Sequence, residues 1–273
     1  MYGIEYSRPE VVLLQESGIG VAEVAARTCY DSFKNSENET IVNIEHTLPD
    51  KAHRMQINAI EESALLDDLA WTYFHHSILE HSTLSFLVRG TSRGVLQEHA
   101  RHRIQAISVR STRYTMSSVL NAYVASLGTD NPKEFFIAKI LSFNMLVTTN
   151  EAYNRLEIGA MFDKLEYQRG VVDEFYELAV AKSSLPLLEE LSGEELFRAL
   201  ESGKKKRNVG DAFKHIVSDN WKVDMVVTFN LRSLKNYFSL RDSGAAYFQI
   251  RWLAEEMKRA TPSKYLDLII KQK

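Results

Sequence analysis

Strand-like and helix-like patterns alternate along this sequence, and the alternation predicts a chain of mixed α and β elements. Three stretches carry that prediction. Thr83–Val88 (TLSFLV) alternates so that Leu84, Phe86 and Val88 share one side, the period of a half-buried strand. Ala59–Tyr73 has the helical period. Leu65, Leu69 and Tyr73 share a face with Leu66 and Ala70 beside it, while Glu61, Glu62, Asp67 and Asp68 point elsewhere. From Thr83 to Arg113 the order reads strand, helix through Val95, Leu96 and Ala100, then an extended run from Gln105 to Arg113.

In chain order, Val11–Leu14 reads as a short strand, and Gly18-Ile19-Gly20 opens a helix over Val21–Arg27. A G-x-G after a strand can cradle a pyrophosphate. Here Glu23 occupies the third glycine position and Gln15-Glu16-Ser17 separates strand from turn, which disfavours a dinucleotide fold. Lys34–Thr40 is polar and reads as a loop. Five of the eight histidines lie between residues 75 and 102, so a metal site has to be weighed. His75-His76-Ser77-Ile78-Leu79-Glu80-His81 contains neither H-E-x-x-H nor H-x-x-E-H, so the helical ligand pair of a zinc hydrolase is missing. These histidines either cap the preceding helix or face a ligand.

Pro132 to about Ser202 reads as helical, with apolar spacing over Phe136–Leu146 and Ile158–Leu178 and an interruption at Pro186. Lys204–Arg207 reads as a solvated basic loop. Met225–Phe229 is strand-like. In the helical stretch that follows, Arg232 and Asn236 lie one turn apart on one face, while Leu231, Leu234 and Phe238 supply packing. Tyr247, Ile250, Ala254 and Met257 mark a further amphipathic helix, ended by Pro262.

Composition bounds the function. The chain is 45% hydrophobic and 25% charged over 273 residues, enough for a sizeable core. Its net charge of −3 argues against a dedicated nucleic-acid binder, so no nucleic-acid partner is expected. Cys29 is the single cysteine, which excludes an internal disulfide or a cysteine zinc cage and fits a reducing cytoplasm. No secretory signal is visible at the start, and no apolar run approaches the ~20 residues that span a bilayer.

Against that background one stretch stands out. Glu98–Tyr114 (EHARHRIQAISVRSTRY) gathers Arg101, His102, Arg103, Arg110 and Arg113 around one acid, Glu98, with Ser111 and Thr112 adding hydroxyls. Crowded guanidinium groups repel one another, and their fixed forks suit the oxygens of a small, multiply charged anion. A solvated basic loop is the alternative.

The spacing Arg101-His102-Arg103, seven residues, Ser111, then Arg113-Tyr114 resembles the R-H-R-x7-S signature of the flavin-dependent thymidylate synthases. Asn230–Arg241 (NLRSLKNYFSLR) is similar to that family's N-x-R-S-L-x-N-F-x-x-L-R. Ala25–Asp31 resembles its A-A-R-x-S-aromatic-D segment, with Cys29 in the usual serine position, and His75–His81 resembles its H-x-[ST]-x-x-E-H run. The resemblance implies an α+β fold, a mixed sheet with flanking helices. It implies one domain over 1–273, with a helical excursion at about 132–203. It implies FAD, with NADPH and 5,10-methylenetetrahydrofolate as co-substrates, and reductive methylation of dUMP to dTMP. A homotetramer with active sites shared between subunits is expected as well. By the same resemblance Arg101, His102, Arg103, His75, Ser77, Cys29, Asn230, Arg232 and Asn236 would hold the flavin. Glu98, Ser111, Thr112, Arg113, Lys214 and Arg241 would hold the nucleotide, with Arg241 the catalytic candidate and Glu80 and His81 ordering their loop.

Departures from the family pattern lie around the pyrimidine. Many members read x-x-S-x-N-E-x-S after Arg-His-Arg and have a glutamine at position 98; here Ala106, Ser108 and Val109 stand at the S, N and E positions, Arg110 lies between Val109 and Ser111, and Glu98 is an acid. That carboxylate would either repel a phosphate or pair with Arg101 or Arg113. A related methyltransferase acting on another uracil-containing substrate, or a nucleotide- or RNA-binding module without catalysis, are the competing expectations.

Overall fold

The protein is described from a computed structural model, in which residues 4–44, 57, 59–170 and 213–271 are placed. Pro186, the Lys204–Arg207 run and the far part of Ile158–Leu178 lie outside the described residues. Two compact units emerge. Unit one comprises Met1–Ser7, Ser92–Gly94 and Arg110–Val223; unit two comprises Arg8–Thr91, Val95–Val109 and Asp224–Lys273.

The strands are β1 (Glu10–Glu16), β2 (Thr83–Ser92), β3 (Ala106–Val109) and β4 (Lys222–Asn230), in the spatial order β1-β2-β4-β3. β1 runs antiparallel to β2, with Val12 opposite Leu87, and β3 runs antiparallel to β4, with Ala106 opposite Thr228. The alternation expected for Thr83–Val88 holds: Leu84, Phe86 and Val88 are fully buried, as are Val227 and Phe229 of β4. The other face carries Val12, Leu14, Ser85 and Thr228, and Val12 and Leu14 are each 52% exposed. Period-two alternation thus divides the sheet into a core face and an open face.

The α-helices, in order, are α1 (Gly20–Thr28), α2 (Glu39–Val42), α3 (Ala64–Trp71), α4 (Arg93–His99), α5 (Thr112–Ser126), α6 (Pro132–Ser142), α7 (Glu151–Gly170), α8 (Leu231–Arg241), α9 (Phe248–Ala260) and α10 (Ser263–Ile269). In unit two, Ile19, Leu66, Leu79, Leu231, Leu234, Ile250, Leu253 and Met257 pack with the buried strand residues into one apolar core. In unit one, α6 packs on α5 and α7, and Tyr123, Phe136 and Phe162 meet ring to ring at 5.6–6.4 Å.

Three boundaries differ from expectation. The helix expected from Ala59 begins at Ala64, because Ser63 is extended and its hydroxyl accepts from the Leu66 N–H at 3.4 Å, a serine cap. The Lys34–Thr40 loop contains a 3-10 turn at Phe33–Asn35 and the start of α2, where the Asn38 side chain accepts from the Thr40 N–H at 3.0 Å. The extended run stops at Val109, and Thr112 already begins α5. Among the described residues no helix is long and apolar enough to cross a membrane.

The Gly18–Gly20 turn serves packing. Gly18 has φ 79°, and its N–H donates to the Tyr265 hydroxyl at 2.9 Å, so that donor is already used. A Cβ on Gly20 would lie 2.3 Å from the Ile57 carbonyl oxygen, so only glycine permits this approach.

Candidate active site

The site in unit two is built on α8. At its start, the Asn230 side chain accepts from the Ser233 N–H at 2.8 Å, a cap that fixes where the helix begins, and the Leu231 N–H donates to the Ser82 carbonyl at 2.9 Å. Arg232, in the first turn, is paired with Glu80 of the 3-10 helix His76–His81, which packs along α8. That pairing ties the histidine-rich turn to the second motif. His75, Ser77, His81 and Asn236 are exposed. Lys235 lies 3.9 Å over the Trp71 ring, with its Nζ 3.2 Å from His76 Nε2, and burial pulls its pKa below the usual lysine range. Cys29, just beyond α1, is exposed and its thiol lies 3.4 Å from the Ala25 carbonyl.

At the other end of α8 stands Arg241. Its Nε donates to His102 Nε2 at 2.9 Å, one Nη donates to a Glu98 carboxylate oxygen at 2.8 Å, and the other donates to the Glu98 carbonyl at 3.3 Å. Glu98 therefore pairs with Arg241, where the sequence had offered Arg101 or Arg113 as its partner. The main chain turns sharply here: the Arg101 N–H donates to the Glu98 carbonyl and the His102 N–H to that of His99. The turn leaves Arg101 and Arg103 exposed and tucks His102 inward, 9% exposed, with its ring edge-on to Tyr237 at 4.7 Å.

This geometry assigns the His102 tautomer. Arginine only donates, so His102 Nε2 carries the lone pair and its proton sits on Nδ1. Burial, then the Arg241 charge, lowers its pKa, which agrees with a neutral ring. Beneath it lies His99, fully buried, with Nδ1 3.1 Å from the Tyr237 hydroxyl and its ring 5.8 Å from that of Phe229. Among the described residues His99 Nε2 has no hydrogen-bond partner. The Gln105 amide donates to the His99 carbonyl at 3.1 Å.

His99 is held neutral, its pKa lowered to about 4, chiefly by burial and then by His102. A folded-state pKa below the unfolded value of 6.5 means that the unfolded chain binds the proton first. Stability from this group is complete above pH 6.5 and is lost as pH falls from there towards about 4. In His99→Phe the dependence of the urea midpoint on pH across that window is expected to weaken by roughly one proton. An unchanged slope would show that His99 does not titrate as described.

The remaining predicted residues belong to unit one. Ser111 and Thr112 are partly exposed at the start of α5, and Arg113 lies in its first turn. Lys214 is exposed, and its carbonyl accepts from Arg93 Nη1 at 3.2 Å. His99 and Tyr237 were not singled out from sequence. Their signal was available: Tyr237 stands where the second motif has phenylalanine, and a hydroxyl on an apolar face needs a partner.

An α+β fold that brings an arginine-rich corner and a polar helix together defines a ligand-binding class with the donors of an anion-handling enzyme. Comparison with known proteins makes this specific. The family model described as thymidylate synthase complementing protein matches residues 12–264. Flavin-dependent thymidylate synthase of Campylobacter jejuni is 26% identical over 257 residues, covering 94% of this chain and 93% of that protein. The enzyme of the same name from Wolinella succinogenes is 25% identical over 256 residues, covering 93% and 94%. Among solved structures, thymidylate synthase X of Helicobacter pylori with FAD and dUMP aligns with a TM-score of 0.59 at 25% identity, covering 96% of this chain and 97% of that one. The chain belongs to the flavin-dependent thymidylate synthase family.

Proposed function

We propose that this protein converts dUMP to dTMP by reductive methylation, with FAD as cofactor and NADPH and 5,10-methylenetetrahydrofolate as co-substrates. One observation carries the reading: the Arg241–His102 hydrogen bond joins the two motifs that resemble the family, 139 residues apart in sequence, into one constellation. The solved Helicobacter pylori relative holds FAD and dUMP, which supports the same pair of ligands here.

The donor set fits a flavin dinucleotide. Arg101 and Arg103 are exposed cations suited to its pyrophosphate, and His75, Ser77, Asn236 and the Arg232 guanidinium offer polar groups along the same helix and the turn packed on it. Asn230 sets the start of that helix, and Cys29 completes the set from the end of α1. When bound, FAD supplies the reducing electrons and takes part in the one-carbon transfer. The chain's residues bind and orient. By the family resemblance, Ser111, Thr112, Arg113 and Lys214 of unit one are the candidates for the dUMP phosphate; in unit two, Arg241 is the candidate for the negative charge that builds on the pyrimidine carbonyls as C5 becomes nucleophilic. Neutral His102 fixes Arg241 without adding charge. The protein works as a cytoplasmic homotetramer whose subunits share active sites.

The first test is the visible absorption of the purified protein, before and after FAD and then dUMP. A bound-flavin spectrum that shifts with dUMP is expected. A colourless protein that ignores added FAD would overturn the reading.

A further inference from the structure

Arg241 is held by three acceptors of unequal kind. His102 Nε2 and the Glu98 carbonyl are neutral and built into the turn, while the Glu98 carboxylate is a charged group at the end of a side chain that is 32% exposed. If that carboxylate swings away, the guanidinium keeps its orientation through the other two. Arg101 and Arg103 have no such internal anion among the described residues.

Any ligand oxygen that needs Arg241 therefore meets a competitor already in place. We propose that Glu98 is a specificity-determining residue, an internal anion that occupies Arg241 until a substrate oxygen displaces it. This rests on the reading of the chain as a dUMP-binding flavoenzyme. Residue 98 then sets how much charge and acceptor strength a ligand must bring. A strong acceptor wins the fork, whereas a weak one leaves the Glu98–Arg241 pair closed. The pair is an electrostatic threshold at the end of α8.

Two substitutions separate this from simple repulsion between Glu98 and a phosphate. Glu98→Gln keeps an acceptor in reach of Arg241 but removes the charge, and charge-assisted hydrogen bonds are about twice as strong as neutral ones. Glu98→Asp keeps the charge but draws it back by one methylene, out of reach of a guanidinium now 2.8 Å away. Both variants, loaded with FAD, are titrated with dUMP and followed by the flavin spectrum, with circular dichroism to check folding. Competition for Arg241 predicts tighter dUMP binding in both, by about tenfold in Glu98→Gln, a change of about 1.4 kcal/mol. Tightening in Glu98→Gln alone would mean direct repulsion, and no tightening in either would mean that Glu98 does not compete; each overturns the proposal. If Glu98→Gln fails to fold, Glu98→Asp decides alone, tighter binding supporting competition and unchanged or weaker binding refuting it. Failure of the wild type to take up flavin would instead overturn the functional reading beneath it.

Discussion

Arg241→Ala is expected to lower kcat by about 10²–10³, the usual cost of removing one preorganised donor from developing negative charge. FAD should remain bound, because of the groups assigned to it only His102 touches Arg241, while the others lie elsewhere on α8, on His75 and Ser77, on Cys29 and on Arg101 and Arg103. The substitution also strands two partners. Glu98 loses its counter-charge and His102 Nε2 its donor. A paired variant, Arg241→Ala with Glu98→Ala, separates these effects: turnover stays low if the guanidinium itself acts on the substrate, and recovers if the orphaned carboxylate was the cause. Arg241→Lys should fall between wild type and alanine, since an ammonium supplies charge but not the three-way fork. Steady-state rates with dUMP, alongside the flavin spectrum, decide. A kcat within a fewfold of wild type would remove Arg241 from the chemistry.

Arg27→Met should produce the largest loss of stability. Arg27 Nε donates to the Glu23 carboxylate at 2.7 Å, and the pair is buried, with side chains 8% and 4% exposed. The Ser36 hydroxyl donates to the same oxygen at 2.6 Å, and the Arg27 guanidinium also donates to the Ser32 carbonyl at 3.1 Å. Removing one partner from a buried ion pair leaves an uncompensated charge and costs about 3–5 kcal/mol. The pH dependence carries the sign. Burial pushes the Glu23 pKa up, but hydrogen bonds from Ser36, Arg27 and Ser63 outweigh it, so the folded value is lowered. In the wild type this carboxylate stabilises the fold above its unfolded pKa, and the contribution is lost as pH falls through the folded one. Without Arg27, burial is less opposed, so protonation becomes easier and the variant's deficit should narrow as pH falls. Urea unfolding of both proteins at neutral and mildly acidic pH measures this. A deficit that widens on acidification would contradict the assignment. The same helix, α1, leads to Cys29, so flavin uptake by the variant also reports on that end of the site.

The site was legible where the chemistry is local in sequence. Arg-His-Arg sits on consecutive residues, and Arg232 and Asn236 sit one turn apart, so spacing alone placed them on a corner and on a helix face. The strands were legible because one face of the sheet is buried, which forces period two on Leu84, Phe86 and Val88. Partners distant in the chain were not legible. Nothing in the order of residues distinguishes Arg101, Arg113 and Arg241 as partners of Glu98, 143 positions away in the last case. The helix from Thr112 replaces part of the extended run expected over Gln105–Arg113; Met116, Val119, Leu120 and Tyr123 have its period and are buried. The two compact units draw on separated segments, a property of tertiary contacts that no local pattern reports.

Helix α8 is about 16 Å long, eleven residues at roughly 1.5 Å each, and it carries Arg232 at one end and Arg241 at the other. The two grips are keyed like teeth on a single shaft. Substitutions can tune either end separately, but deleting one residue between them turns everything beyond by about 100° and draws it back about 1.5 Å. Arg241 would leave His102 and Glu98, and a deletion before Tyr237 would also carry Tyr237 away from His99. Drift in this family member can therefore change an exposed position such as Ser239, but not the number of residues between Arg232 and Arg241.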